Sequence, residues 1–173
     1  RAQELDPLSL IVNSQLGRVL YYTDNFAEAA TQLEKTLALD PSFFGARRYL
    51  GLVYIELGRY DDAITQLNQA LNLSGGSPLV KTELAHAYAV SGNVAEARRI
   101  LSELQAANTA GALSAYHLAA IYAGLGDKDA AFTQLTKALE ERADRLPYLK
   151  VDPRLKPLRR DPRFAQLAQR LGL

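Results

Sequence analysis

Glu83 and His86 stand one helical turn apart, and His117 falls one repeat further along the chain, so a helical reading brings a carboxylate and two imidazoles onto neighbouring faces. That is a donor set a transition metal could use. The chain has only two histidines in 173 residues, however, and an ordinary polar patch would read the same way, so no metal is assigned. The other arrangements that carry chemistry are missing. Ser74-Gly75-Gly76-Ser77 lacks the lysine of a phosphate-cradling loop, and Ser, His and Asp are scattered without the spacing of a triad. There is no cysteine, which removes disulfides, thiolate metal sites and cysteine nucleophiles from this chain. The expectation is a protein that binds, with no cofactor and no catalytic residues.

The elements that must position these side chains follow from a period of 34 residues. Leu16, Leu50, Leu84 and Leu118 form one column, and Leu33, Leu67, Leu101 and Leu135 form another. Two further columns are small: Gly17, Gly51, Ala85 and Ala119, and Ala29, Ala63, Ala97 and Ala131. Each period reads as two amphipathic helices. In the second, Tyr49, Leu50, Val53, Tyr54 and Leu57 recur at helical spacing, Gly58 stops the helix, and Ala63, Ile64, Leu67, Ala70 and Leu71 line the next. The turn column is Asp24, Gly58, Gly92 and Gly126. Asn25 with Glu28 and Asn93 with Glu96 have capping-box spacing, and Asp127 can cap the last second helix. Small residues at two columns would let paired helices approach closely.

These residues resemble the tetratricopeptide repeat (TPR). The pattern is nearly complete as Leu50-Gly51, Tyr54, Gly58, Tyr60, Ala63, Leu67 and Ala70, and unit one matches with Leu16-Gly17, Phe26, Ala29, Leu33 and Asp40-Pro41. Units three and four are looser: Val94 and Lys128 replace Phe26 and Tyr60, and Thr109 replaces the proline. The resemblance implies an all-α, right-handed solenoid of helix–turn–helix repeats at residues 10–43, 44–77, 78–111 and 112–142, closed by a helical cap at 143–173. Leu5-Asp6-Pro7 repeats Leu39-Asp40-Pro41 one period earlier, so residues 1–9 read as the remnant of a preceding repeat in a longer array.

The last segment breaks the period. Pro147, Pro153, Pro157 and Pro162 preclude a long helix until Asp161-Pro162 starts a final one, with Phe164, Leu167, Ala168 and Leu171 on one face and Gly172 as its stop. Residues 1–141 carry 11 basic and 16 acidic side chains, whereas 142–173 carry 9 and 3. The runs 149–154 and 158–164 resemble the tail closing many bacterial TPR proteins behind an effector such as a winged-helix activator, a Ser/Thr kinase or an adenylate cyclase, which implies a bacterial regulatory protein.

The resemblance also implies that the first helix of each pair lines a concave groove. That groove would present Arg18 and Tyr21, then Arg48, Tyr49 and Leu52, then Glu83 and His86, then Tyr116 and His117, together with Ser14, Ile55, Thr82 and Ala120. Tyrosine and arginine are enriched at binding hot spots, and the mixture suits a peptide or helix with apolar anchors and some acidic character. The alternative for Tyr49 and Tyr116 is that they complete the core with hydroxyls in water. The lysine, asparagine and arginine clamp of chaperone-binding arrays is not matched by Ser14, Arg18, Tyr49, Leu79 and Glu83.

The expected partner is a protein or peptide. A second copy of the chain is the alternative, because Ile11, Leu16 and Tyr22 need cover. Arg159, Arg160 and Arg163 raise nucleic acid, but Asp152 and Asp161 interleave and no groove-reading motif is present. No apolar run is long enough to span a membrane, and no signal-peptide pattern is visible, which says nothing of a segment removed before Arg1. The compartment stays open, with the cytoplasm favoured.

Overall fold

The computed structural model describes residues 9–107 and 113–173, and every regular element among them is a helix. The proposed remnant at 1–9, apart from Ser9, and the substitution at Thr109 lie outside the described residues. The first eight described helices are α1 Leu10–Tyr22, α2 Phe26–Leu39, α3 Phe44–Glu56, α4 Tyr60–Leu73, α5 Pro78–Val90, α6 Val94–Ala107, α7 Ala115–Gly124 and α8 Lys128–Glu140. Two short 3-10 segments, Leu146–Tyr148 and Pro153–Leu158, lead to α9, Pro162–Arg170. The chain forms two compact units that divide at Val80 and Lys81, within α5. No described helix is long and apolar enough to cross a membrane.

In the first unit the small columns do what close packing demands. A Cβ on Gly17 would lie 2.5 Å from Leu33, and one on Gly51 would lie 2.6 Å from Leu67, so these glycines are the space into which the leucines fit. Both leucines are fully buried, as are Ala29 and Ala63 in the second small column. Polar ties recur with the period. Gln32 donates to Asn13 at 2.9 Å, and one repeat later Arg47 donates to Gln66 at 2.9 Å and also to Gln69. Tyr54 donates to Glu34 at 2.7 Å; burial, then this acceptor, pushes the phenol up to about 12.

The turns follow the column. Asp24, Gly58, Gly92 and Gly126 all have positive φ, from 61° to 89°, the left-handed conformation that glycine adopts freely and aspartate tolerates. The caps divide. Asp127 accepts from the Ala130 N–H at 3.0 Å and Asn93 from Glu96 at 3.3 Å. Asn25 instead donates back to Thr23, so the expected box there is not formed.

The second unit has one core shared by repeat and tail. Leu146, Leu149, Leu155, Leu158, Phe164 and Leu167 bury among Tyr116, Ala119, Phe132, Leu135 and other residues of α7 and α8. The prolines act as expected: Pro153 and Pro162 each open a short helix after an aspartate cap, and Gly172 ends α9 at φ 71°.

Candidate functional site

Helical periodicity sets the orientation of each first helix, and burial then decides which of its side chains reach solvent. Of the nine side chains expected to meet a partner, Arg18 on α1 is half-buried and the other eight are buried. Tyr21 and Tyr116 are fully enclosed, and Tyr49 is 6% exposed. Leu52, Glu83 and His86 are equally inaccessible, and Arg48 and His117 reach only 8% and 9%. These side chains therefore shape the first helices from within.

Tyr21 belongs to an aromatic group in the first unit, with Tyr22 at 5.0 Å, Phe26 at 6.1 Å and Tyr49 at 6.3 Å between ring centroids. The Arg48 guanidinium lies 4.8 Å from the Tyr49 ring centre, in cation–π range. Arg18, by contrast, faces the same side of α1 as Ile11, Gln15, Val19 and Tyr22. Ile11 is 66% exposed and Val19 52% exposed. One period later, Val53 in the place of Val19 is fully buried. Helix α1 carries no acidic side chain. The most open first-helix face is thus apolar with one cation.

In the second unit His86 ties α5 to α7 through Nδ1, 2.8 Å from the Ala120 carbonyl oxygen. Gly124 makes room for it, since a Cβ there would sit 2.8 Å from the same nitrogen. Burial is the main cause that pulls this imidazole down to about 4, and the Arg154 cation adds to it against the opposing pull of the Ala120 carbonyl and Asp152. The ring is therefore neutral, with one nitrogen engaged by backbone. Among the described residues no cluster of three or more His, Cys, Asp or Glu has metal-binding geometry.

Tyr116, expected in the groove, completes the core, but without the hydroxyl in water that the alternative gave it. It donates at 3.1 Å to Asp152, a fully buried carboxylate brought in by the tail. Asp152 also accepts from Arg154: from its backbone N–H at 3.1 Å, from Nε at 3.0 Å and from the guanidinium terminus at 2.6 Å. Burial alone would push the Asp152 carboxyl up, but the Arg154 charge and these donors hold it below the usual carboxylate range.

The same three-residue clamp recurs as Asp161-Pro162-Arg163, with an N–H at 3.1 Å and side-chain donors at 3.0 and 2.8 Å. Donation from Arg163 holds the Asp161 carboxyl down at about 2. Arg163 also reaches Asp129 of α8 at 2.7 Å and stacks 4.2 Å over Phe132. In the sequence these arginines stand in a basic tail with Asp152 and Asp161 interleaved, which suits a solvated, partly ion-paired cap. The doubled Asp-Pro-Arg was the signal that each arginine has its own carboxylate. Arg159 donates to the Asp152 carbonyl at 3.1 Å, and Arg160 is exposed.

Family models described as Tetratricopeptide repeat match residues 14–78, 58–115 and 112–145. No curated protein matches the chain. A thermophilic TPR protein of Thermus thermophilus is similar in structure, with a TM-score of 0.68 and 20% identity over 100% of this chain and 87% of that one. The APC/C hetero-tetramer Cut9–Hcn1 is similar with a TM-score of 0.67 and 18% identity, over 98% of this chain and 32% of that one. YrrB, a TPR protein with an unusual peptide-binding site, gives 0.55 and 16%, over 97% of this chain and 87% of that one. At these identities the likeness is one of fold.

Proposed function

Because the chain is built of tetratricopeptide repeats, we propose that it is a protein-interaction module that takes a peptide or helix on the first helices of its repeats, without bond chemistry. The observation that carries this reading is the open face of α1, where Ile11 and Val19 are 66% and 52% exposed beside a half-buried Arg18. An apolar face with one cation and no acid suits a segment with apolar anchors and a carboxylate. Arg18 makes the direct contact. The remaining expected site residues, Tyr21, Arg48, Tyr49, Leu52, Glu83, His86, Tyr116 and His117, hold the helices that present the surface. In the fuller form of the proposal the module belongs to a bacterial regulatory protein, which the tail resembles, and partner binding biases its effector.

The test is an affinity capture from source-cell lysate with the wild-type chain and with Arg18→Glu. A protein retained by the first and lost by the folded variant supports recognition at α1. Equal retention moves the contact elsewhere, and an empty capture removes the reading.

The same exposed pair, Ile11 and Val19, favours self-association as a second reading. It is weaker, because two copies meeting on α1 would bring Arg18 toward its own image with no acid on either helix to offset it. Light scattering over a concentration series separates the two: a constant monomer mass ends the second reading.

A further inference from the structure

Helix α3 repeats α1 one period later, and its covered face shows what α1 is shaped to receive. Helix α3 packs against both α1 and α2. A Cβ on Gly45 would lie 3.2 Å from the Ser14 hydroxyl oxygen of α1, the Tyr49 ring stands 6.3 Å from that of Tyr21 on α1, and Tyr54 donates to Glu34 of α2 at 2.7 Å. Gly45, Tyr49 and Val53 are spaced by four and share one helix face. Val53 is fully buried. One period earlier the same stripe is Ile11, Gln15 and Val19, all exposed. The face of α1 thus matches one that a helix pair covers inside this array. Ile11 and Val19 offer no hydrogen bonds, so an extended segment laid on them would bury unpaired backbone groups, whereas a helix brings its backbone already bonded.

The second unit shows what stands opposite position 18 in such a stack. His86 of α5 occupies the column of Arg18, and its Nδ1 lies 2.8 Å from the carbonyl oxygen of Ala120, the residue of the same column on α7. The side chain at this column of one first helix therefore lies against the same column of the next. A hairpin stacked on α1 would bring its own residue of that column to Arg18. The column otherwise holds Leu52, His86 and Ala120, all buried, so stacking would bury the Arg18 cation as well. A cation taken out of water needs a carboxylate beside it, and α1 has none.

On the reading that α1 receives a partner, we infer that the partner is itself a helical hairpin of the repeat type, stacked on α1 as α1 and α2 stack on α3, with a carboxylate on its first helix opposite Arg18. A second copy of this chain would offer an arginine at that place instead.

The chain has no cysteine, so Val19→Cys places a single thiol on the face, and its rate of maleimide labelling reads coverage. Hairpins are joined ahead of Arg1 of the full chain by a flexible Gly/Ser linker, which holds them at high local concentration. The first is a copy of residues 10–41 with Ser14→Gly, to make room for Ile11, and Arg18→Glu. The second adds Leu16→Pro and Leu33→Pro, which break both of its helices. The third carries Ser14→Gly alone and keeps its arginine. The glutamate hairpin should slow labelling at least tenfold, and the proline form should not. The arginine hairpin should protect poorly, yet protect well when the chain itself carries Arg18→Glu, because the charges are then exchanged. Ala165→Cys, exposed on α9, should label at one rate throughout, and Ile11→Cys repeats the measurement if Val19→Cys fails to fold. Equal protection by the proline form would overturn the hairpin and leave α1 a peptide site. No protection by the glutamate hairpin would overturn the inference and leave the lysate capture to judge the wider reading. Slow labelling of the chain alone would mean that it covers this face itself, and would overturn both.

Discussion

At the scale of single residues, two chemically identical clamps sit in different surroundings. In Asp152–Arg154 both side chains are below 5% exposed, whereas in Asp161–Arg163 the arginine is 42% exposed. Removing one partner of a buried pair strands the other charge, which costs about 3–5 kcal/mol, while water replaces the partner of an exposed one. Asp152→Ala should therefore lower the stability of the second unit by about 3 kcal/mol, and Asp161→Asn, which keeps the cap acceptor, should barely move the urea midpoint. His86 gives a pH signature. The fold holds a neutral ring, so the unfolded chain takes up its proton near pH 6.5 and the folded chain only near pH 4. The stabilisation is complete above the unfolded value and drains away as the pH falls through that window, by at most about 3 kcal/mol. Comparing the pH dependence of unfolding for wild type and His86→Asn, whose amide can still donate to Ala120, should show a shallower fall between pH 6.5 and 4 in the variant. Parallel curves would remove His86 as the source. Asp24 is a smaller case: with φ at 61° where three other repeats have glycine, Asp24→Gly should raise the melting temperature, through a gain of about 0.5–1 kcal/mol.

At the scale of elements, the helix pairs are set by the small columns. A valine at position 51 would drive into Leu67, since even a Cβ would lie at 2.6 Å. Gly51→Val should cost about 1–3 kcal/mol, and Leu67→Ala should relieve part of it, so the double variant is more stable than the sum of the single ones predicts. A thermal-melt cycle measures that coupling. These columns, the turn glycines and the proline-started final helix were legible because each reflects a local rule: a residue too small to clash, a φ only some residues accept, a ring that opens a helix. The fate of the polar first-helix residues was not. Glu83 and His86 share a helix face by periodicity alone, but whether that face meets water depends on what stacks upon it, which no window of sequence contains. Asn25 was misread for a similar reason: spacing shows that a side chain can reach the helix start, not that Thr23 offers it a nearer partner. The clamps were visible as a doubled Asp-Pro-Arg, but net charge, which adds side chains without pairing them, hid what the doubling meant.

At the scale of the molecule, repeat arrays distribute stability between neighbours and need a terminal piece to cover the last apolar face. Here that piece is not a lid laid on a finished core. Leu146, Leu149, Leu155, Leu158, Phe164 and Leu167 are part of the same buried cluster as Tyr116, Phe132 and Leu135. Burying one such side chain is worth roughly 1.5–3 kcal/mol, so losing six is comparable to the total stability of about 5–15 kcal/mol typical of a whole domain. The tail also supplies Asp152, the acceptor for the Tyr116 hydroxyl, so its loss would remove that hydrogen bond from α7 as well as expose apolar surface. A chain ending at Arg142 should therefore lose hydrogen-exchange protection throughout α7 and α8 and bind a hydrophobic dye. The helices of the first unit, whose leucines bury against Gly17 and Gly51, should stay protected. Protection retained in α7 and α8 after truncation would mean that the final repeat closes its own core, and the tail would then be an appendage.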